Sequence, residues 1–328
     1  MTPAIPSGLD QLCWSVIQFD LDVCAPIDLG SMPAATIRGA LGASLRRLVC
    51  ITRLSDCTDC PFRWPCIYGY LFETPPPPGG QQLRKLQNVP RPYVVRRPKL
   101  HERQFVPGTT LQIELLLIGR ARMYLPYLML ALQRLETQGI GRGRREGTGR
   151  FRLVLARALR PDGTYDVVYD RTCRQVLAEV PAWRPADLLS SGYPGEVMRL
   201  RTNTPLRLKA AGHLVRKLTF RILLRSILSR LSSLAAFHAE TTLQLDFASL
   251  LRQAEAVRTR EDRLQWFDGL QRYSKRQRTT MRLGGLVGEI IFEGISPELW
   301  AWLTLGAALH VGHGAVMGLG HYDIEPVS

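Results

Sequence analysis

The sequence predicts an α+β fold of two tandem βαββαβ units, and three observations support it. The first is an internal echo. Residues 124–135, apolar at helical spacing, run into Gly139-Ile140-Gly141-Arg142-Gly143-Arg144, then Gly147 and Gly149, and then a strand-like run over 151–156. Residues 297–309 likewise run into Gly312-His313-Gly314, then Gly318-Leu319-Gly320, and a short strand-like run over 322–324. Helix, glycine-rich loop and last strand recur in the same order, as tandem domains of one topology require. The second is the run of strand-like and helix-like segments ahead of each glycine loop. The third is composition: 328 residues, 45% hydrophobic and 22% charged, are enough for two packed cores and argue against a disordered tail.

The elements follow in order. Residues 13–21 set Trp14, Val16, Gln18 and Asp20 against Cys13, Ile17, Phe19 and Leu21, which suits a strand. Pro33 opens a helix with Ile37, Leu41, Leu45 and Leu48 on one side and Arg46 and Arg47 turned away. Residues 92–97 and 111–118 read as the middle strands. In the second half, 197–201 reads as the opening strand, 214–234 as a long helix and 281–292 as one or two strands punctuated by Gly284-Gly285. The expected division is 1–160 with a cysteine-rich insertion at about 50–73, a connector over 161–195 rich in Pro, Asp and Gly, and a second unit over 196–328.

Charge narrows the partner. Of 43 basic residues 38 are Arg, against 28 acidic residues, for a net charge of +15. A GC-rich genome accounts for the Arg to Lys ratio but not for the excess charge. Arg forks pair with phosphate and stack on bases, so the excess favours nucleic acid. The longest apolar stretch, 123–132, contains Pro126, which argues against a membrane span. No basic region followed by an apolar core opens the sequence, so the expected location is the cytoplasm.

Four of the seven Cys cluster as Cys50-x6-Cys57-x2-Cys60-x5-Cys66 in a loop-forming segment with Asp56, Asp59, Pro61 and Pro65. Four thiolates suit a structural, non-catalytic zinc; a four-iron cluster takes the same ligands, and buried free thiols are the plainer alternative. The loop Gly312, Gly314, Gly318 and Gly320 lets backbone approach a phosphate or, equally well, packs a helix tightly onto a strand. Arg142 and Arg144 in the earlier loop, with Arg145 and Arg150, favour the phosphate reading. On the long helix Phe220, Leu223, Leu224, Ile227, Leu231 and Leu234 share a face. Lys217, Arg221 and Arg225 stack on the opposite one, with no acid between Leu206 and Ala239. Such like charges repel by a few tenths of a kcal/mol per pair, so a bound anion is expected to offset them, against the alternative of a solvated face. A second acid-free run, Arg272-Tyr273-Ser-Lys275-Arg276-Gln-Arg278 through Arg282, offers Tyr273 for base stacking.

Six His are present: His101, His213, His238, His310, His313 and His321. None has metalloprotease spacing, and the acids are scattered, which argues against a two-metal nuclease. RNA cleavage without a catalytic metal uses the 2′-OH and needs a base, an acid and cations. His213, ahead of the basic helix, and His310, beside the glycine loop, are the candidate pair, although each residue type is more often structural.

The segment from His310 to Gly320 resembles the C-terminal glycine-rich motif of the RAMP superfamily of CRISPR proteins. More of the chain is similar to its precursor-crRNA processing endoribonucleases. The matching segments are Arg38-Gly-Ala-Leu-Gly-Ala-Ser-Leu-Arg46, the cysteines leading to Tyr70-Leu-Phe-Glu-Thr74, Gly139-Ile-Gly-Arg-Gly-Arg144, Thr204-Pro-Leu-Arg-Leu-Lys209, Arg272-Tyr-Ser-Lys-Arg-Gln277 and Leu283-Gly-Gly-Leu-Val-Gly288. The resemblance implies ferredoxin-like (RRM-like) domains and a CRISPR repeat RNA as ligand. It also implies one metal-independent cut leaving a 2′,3′-cyclic phosphate and a 5′-hydroxyl. The alternative is a non-catalytic subunit that holds crRNA among other CRISPR effector-complex subunits. Many members place a general-base His near the first helix. Here none occurs before His101, and that helix carries Arg38, Arg46 and Arg47, cations that stabilise charge but make poor bases.

Overall fold

Two units divide the chain, Trp14–Pro181 and a second from residue 182 onward that includes the short 3-10 turn Leu9–Gln11. The computed structural model describes residues 8–76, 89–173, 175–176, 179–274 and 279–327. The first unit runs β1 (Trp14–Val23), α1 (Pro33–Val49), β2 (Tyr93–Arg97), β3 (Thr110–Ile118), α2 (Leu125–Gln138), β4 (Phe151–Leu159), β5 (Tyr165–Asp170) and β6 (Gln175–Val176). The sheet order is β2-β3-β1-β4-β5-β6, antiparallel throughout. Fourth, first, third and second strands of a βαββαβ unit lie side by side, the ferredoxin-like arrangement.

β1 is buried at every position but Asp22, so its two faces do not divide into core and solvent. One face carries Ile17, Phe19 and Leu21 into the apolar core. The other holds a polar network around Asp20: Gln18 and Gln112 donate to its Oδ1 at 3.0 and 3.2 Å, and Arg157 meets its Oδ2 at 2.6 Å. A buried carboxylate persists only with such partners. In α1, Ile37, Leu41 and Leu45 are buried as expected, while Leu48 lies outside the contact at 39% exposed. Residues 161–195, expected as a connector, instead supply β5 and β6 to this sheet and the helix Pro185–Leu189 to the second unit.

The second unit repeats the topology with β7 (Val197–Thr202), α3 (Phe220–His238), α4 (Phe247–Ala256), β8 (Arg258–Asp262), β9 (Glu289–Glu293), α5 (Pro297–Leu309) and β10 (Tyr322–Pro326). Its order is β8-β9-β7-β10, again antiparallel. The six apolar residues read on one face of α3 are all buried, each worth about 1.5–3 kcal/mol. The helix begins later than expected because Thr219 caps it, its Oγ1 accepting the Ile222 amide at 3.3 Å. Residues 214–219, expected as helix, therefore precede it. On the far side α5 packs so tightly that a Cβ on Gly306 would lie 2.5 Å from the Tyr322 hydroxyl and 2.8 Å from Ile227. That hydroxyl donates to the Leu303 carbonyl at 2.8 Å, and burial pushes its pKa far above the ordinary tyrosine value. α4 and β8 escaped the sequence reading. β8 is exposed along its whole length and carries no apolar residue, so periodicity has nothing to register there. The stretch 281–292, read as one or two strands, contributes to three: Thr279–Arg282, Gly285–Val287 and β9. Among the described residues no helix is long and apolar enough to cross a membrane.

Candidate nucleic-acid interface

The two glycine loops are copies at a constant offset, hydrogen bond by hydrogen bond. Ile140 N–H donates to Gly149 O at 2.9 Å, and Val311 N–H to Gly320 O at 3.0 Å. Arg142 N–H donates to Asp28 O, and His313 N–H to Arg207 O, both at 2.8 Å. Gly149 N–H reaches Pro26 O at 2.8 Å, and Gly320 N–H reaches Pro205 O at 3.1 Å. Each loop thus clips its last strand to the segment that follows its unit's first strand. The glycines are required by space. A Cβ would stand 2.1 Å from Ile140 O at Gly149 and 1.8 Å from Val311 O at Gly320, with φ of 78° and 72°. At Gly312 it would stand 2.5 Å from Arg207 O, and at Gly314 2.8 Å from Leu319. Of the two roles the spacing allowed, packing accounts for these glycines: the amides of residues 311, 313, 318, 319 and 320 are occupied by the chain's own carbonyls.

What separates the copies is charge. In the first, Arg142 faces Asp28 at 3.6 Å, a neutralised pair, although Arg142 itself is exposed. In the second, the equivalent positions are His313 and Arg207, with Lys209 nearby and no acid in the segment. Partial burial, then Lys209 and Arg207, hold the exposed His313 ring below the usual histidine range. Arg207 Nη1 donates to Gly284 O at 2.8 Å, which fixes its guanidinium. Lys209–Ala210 pairs with His213–Leu214 through a two-residue turn at Ala211 and Gly212, with φ of 47° and 83°. His213 is exposed on that hairpin.

The expected pair His213 and His310 separates in environment. His310 is 1% exposed, has its Nδ1 3.2 Å from Leu319 O, and stacks on His321 with centroids 4.7 Å apart. It takes a φ of 56° where its copy has Gly139, so it belongs to the loop's internal packing. His313, which the sequence reading did not single out, is exposed at the same loop. Its alignment with Arg142 was the available signal, since a cation site in one copy marks a surface position in the other.

The other basic residues distribute as follows. Lys217 precedes α3, and Arg221 pairs with Glu255 of α4 at 2.8 Å. The expected stack of three unpartnered cations on the helix is therefore not formed: only Arg225 remains on it, exposed, without an ion pair among the described residues. The backbone at Arg272 and Tyr273 lies in the hairpin Gln271–Ser274 and Thr279–Arg282, while Lys275 lies outside the described residues. In the first unit Arg38 is half-buried over Phe72 at 5.4 Å, Arg46 lies over Tyr68 at 5.7 Å and donates to the Leu54 and Ser55 carbonyls, and Arg47 meets Gln138 at 3.2 Å. Arg144 sits half-exposed in a short turn within the first glycine loop.

Cys50, Cys57, Cys60 and Cys66 are free, half-buried, and line one cavity of about 260 Å³ together with Arg46 and Tyr68. Burial opposes ionisation of Cys50, yet the Arg53 backbone, the Thr52 hydroxyl and the Arg46 guanidinium hold its pKa below the usual thiol range. Burial pushes Cys57 up. The donor chemistry suits a soft metal, but among the described residues no three His, Cys, Asp or Glu side chains are grouped closely enough to hold one. The four cysteines of the expected metal knuckle thus line one cavity.

Residues 12–181, more than half of the chain, match the family AF_1859_N, described as its N-terminal domain, and residues 200–322 match the CRISPR-associated endoribonuclease Cas6. Among solved structures, a partial Cas6-RT-Cas1–Cas2 complex superposes with a TM-score of 0.58 at 16% identity, covering 99% of this chain and 47% of that one. A Cas6 product complex gives 0.57 at 17% identity, covering 95% and 99%. Thermus thermophilus Cas6 gives 0.53 at 17% identity, covering 96% and 99%. At these identities the likeness is one of fold, and the chain spans about half the length of the first of these proteins. No curated protein matches. The chain belongs to the AF_1859_N family, whose model spans more than half of it, and its second unit matches the CRISPR-associated endoribonuclease Cas6, so that the whole is a CRISPR-associated, Cas6-like protein.

Proposed function

We propose that this protein cuts CRISPR precursor RNA within its repeats, without a catalytic metal, and remains bound to the crRNA it releases. The observation that carries the reading is the charge divergence of the two glycine loops. The first copy neutralises its cation with Asp28, whereas the second brings Arg207, Lys209 and His313 together with no acidic residue in either the loop or the 204–216 segment. Cations held in such company favour an anion, and a phosphodiester is the anion this family handles.

In the cut, a ribose 2′-oxygen attacks the neighbouring phosphorus as the bond to the 5′-oxygen breaks. The 2′-proton passes to a base, and the departing 5′-oxygen takes a proton from an acid. A 2′,3′-cyclic phosphate and a 5′-hydroxyl result. A histidine held below its usual range is neutral at pH 7, which suits His313 to the first transfer. His213, exposed on the neighbouring hairpin, is the donor for the second. Arg207 and Lys209 stabilise the dianionic phosphorane. His310, enclosed by the loop, takes no part.

The pH profile tests the base. The base acts deprotonated, and its pKa is lowered, so the acidic limb of the rate profile should have its midpoint below 6.5. Arg207→Gln with Lys209→Gln should move that midpoint upward, because two neighbouring cations are removed. A midpoint unmoved by that pair would assign the limb to another group.

A second reading, an RNA-holding subunit that does not cut, draws on the enclosure of His310 and the absence of histidine from α1. It predicts tight binding of repeat RNA with no product at any pH. Both readings place the protein with CRISPR RNA and, as the Cas6-RT-Cas1–Cas2 complexes illustrate for their own Cas6 parts, allow further CRISPR subunits as partners.

The proposal includes a structural zinc, or an iron–sulfur cluster on the same ligands, at Cys50, Cys57, Cys60 and Cys66. Closing the 50–66 segment around the ion would replace the cavity with four metal–sulfur bonds. Protein purified without chelator should then carry about one zinc per chain. Seven titratable thiols, rather than the three outside the cluster, and no metal would remove this part, and cleavage in EDTA is expected either way.

A further inference from the structure

The hairpin that carries Lys209 and His213 runs on into another arginine. Its register pairs Lys209 with Leu214 and Ala210 with His213, and the Val215 N–H extends it by donating to the Leu208 carbonyl at 3.0 Å. One step further along that register, Arg216 stands opposite Arg207. Val215 is buried, and Arg216 beside it is exposed. Like charges facing each other across a strand pair repel. No acidic residue occurs between Glu196 and Glu240 to relieve them.

Both guanidiniums are held by neighbouring parts of one surface. Leu286 pairs with Leu206 on one side and with Trp266 on the other, so Gln265–Phe267 lies two strand spacings, about 10 Å, from the segment of Arg207. Arg207 Nη1 donates to Gly284 O at 2.8 Å, and the Arg216 guanidinium carbon lies 3.9 Å from the centre of the Trp266 ring. Trp266 in turn lies against Gly284, where a Cβ would stand 2.6 Å from ring atom Cζ2. A Cβ on Gly285 would stand 2.9 Å from Pro205. The Gly284-Gly285 pair thus admits the indole and the Arg207 segment at adjacent positions. An arginine set over an indole keeps the edge of its planar fork free for an acceptor.

Charge selects the occupant. The acid of this neighbourhood is Asp268, whose Oδ1 would lie 2.6 Å from a Cβ on Gly284. It makes an ion pair with neither arginine among the described residues, and it is exposed, where salt screens it. Arg216 therefore has a fixed seat and no carboxylate partner. Guanidinium forks meet phosphate oxygens edge on, and two of them side by side match the phosphates of one strand.

We propose that Arg216, seated on Trp266 beside Arg207, binds a phosphate of the RNA strand, and that Trp266 is the positioning residue that holds it there. This rests on the RNA-processing reading and deepens it, adding a contact that fixes where the strand lies. The test uses the whole protein, Arg216→Gln, Arg216→Lys, Trp266→Phe and Trp266→Ala. The ligand is the repeat RNA with 2′-fluoro riboses, which lack the attacking hydroxyl. Fluorescence anisotropy from about 50 to 400 mM salt reads affinity and its salt slope, and thermal melting checks the fold. Arg216→Gln should weaken binding about three- to tenfold and lower the slope of log affinity against log salt by about 0.7. Arg216→Lys should restore the slope. Both Trp266 variants should weaken binding, Trp266→Phe less than Trp266→Ala, with the slope of wild type, because the charge remains while its seat is reduced or lost. Wild-type affinity and slope in Arg216→Gln would overturn the proposal. Unchanged affinity in both Trp266 variants would overturn the positioning role. Unmodified repeat RNA separates the two readings. A protein whose affinity depends on Arg216 but which never cuts that RNA removes the nuclease reading and leaves this contact standing. Cleavage by Arg216→Gln at wild-type rate and affinity does the reverse.

Discussion

Replacing His313 by alanine should lower the cleavage rate by about 10²–10⁴-fold while leaving the melting temperature nearly unchanged. The side chain is exposed, so its removal opens no cavity. What is lost, on the proposed reading, is a neutral imidazole beside the cations Lys209 and Arg207. His310→Ala should behave in the opposite way. Its ring is buried, lies within hydrogen-bond reach of Leu319 O and is stacked on His321, so truncation should cost about 1–3 kcal/mol of stability. Rates measured on the folded fraction should stay within a few-fold of wild type. Single-turnover cleavage and urea unfolding, run on both variants, separate the roles. A cleavage defect that tracks His310 rather than His313 would return the base to the buried position.

Gly320→Ala should destabilise the second unit by about 3 kcal/mol or more. The new Cβ would stand 1.8 Å from the Val311 carbonyl oxygen, at a φ of 72° that L-residues avoid, and would break the clip between the loop and β10. Gly149→Ala should do the same to the first unit, where the distance is 2.1 Å. Gly147 shares the left-handed backbone at φ 83° but faces open space, so Gly147→Ala should cost only about 1 kcal/mol. Denaturant unfolding of the three variants measures the contrast. If Gly320→Ala instead folds normally and loses only RNA affinity, the glycines cradle phosphate after all.

The sequence carried the topology because the second unit repeats the first at the points where backbone crowding demands glycine. Those positions cannot drift, and their offset is legible without coordinates. The helical faces of α1 and α3 were legible for a different reason: leucines and isoleucines at helical spacing have few other uses. What was not legible is instructive. β8, Arg258–Asp262, is an exposed edge strand that pairs with β9 and has no apolar residue for periodicity to register. β5 and β6 lay in a stretch whose Pro, Asp and Gly content reads as loop. The partner of Arg221 is Glu255, on a helix the periodicity did not register, so an apparently acid-free face was half-neutralised by tertiary structure. For the site, residue type pointed to histidine, but only burial distinguished His310 from His313. The cysteine cluster was legible as a group, and its four members line one cavity.

The most direct measurement of the central claim uses purified protein, its cognate repeat RNA and a series of copies each with a single 2′-deoxy substitution, all in EDTA. The account predicts a discrete product from the unmodified RNA, carrying a 2′,3′-cyclic phosphate and a 5′-hydroxyl, and loss of cleavage at one deoxy position only, the ribose adjoining the cut. Tight binding with no product at any pH, or cleavage that survives every deoxy substitution, would contradict it.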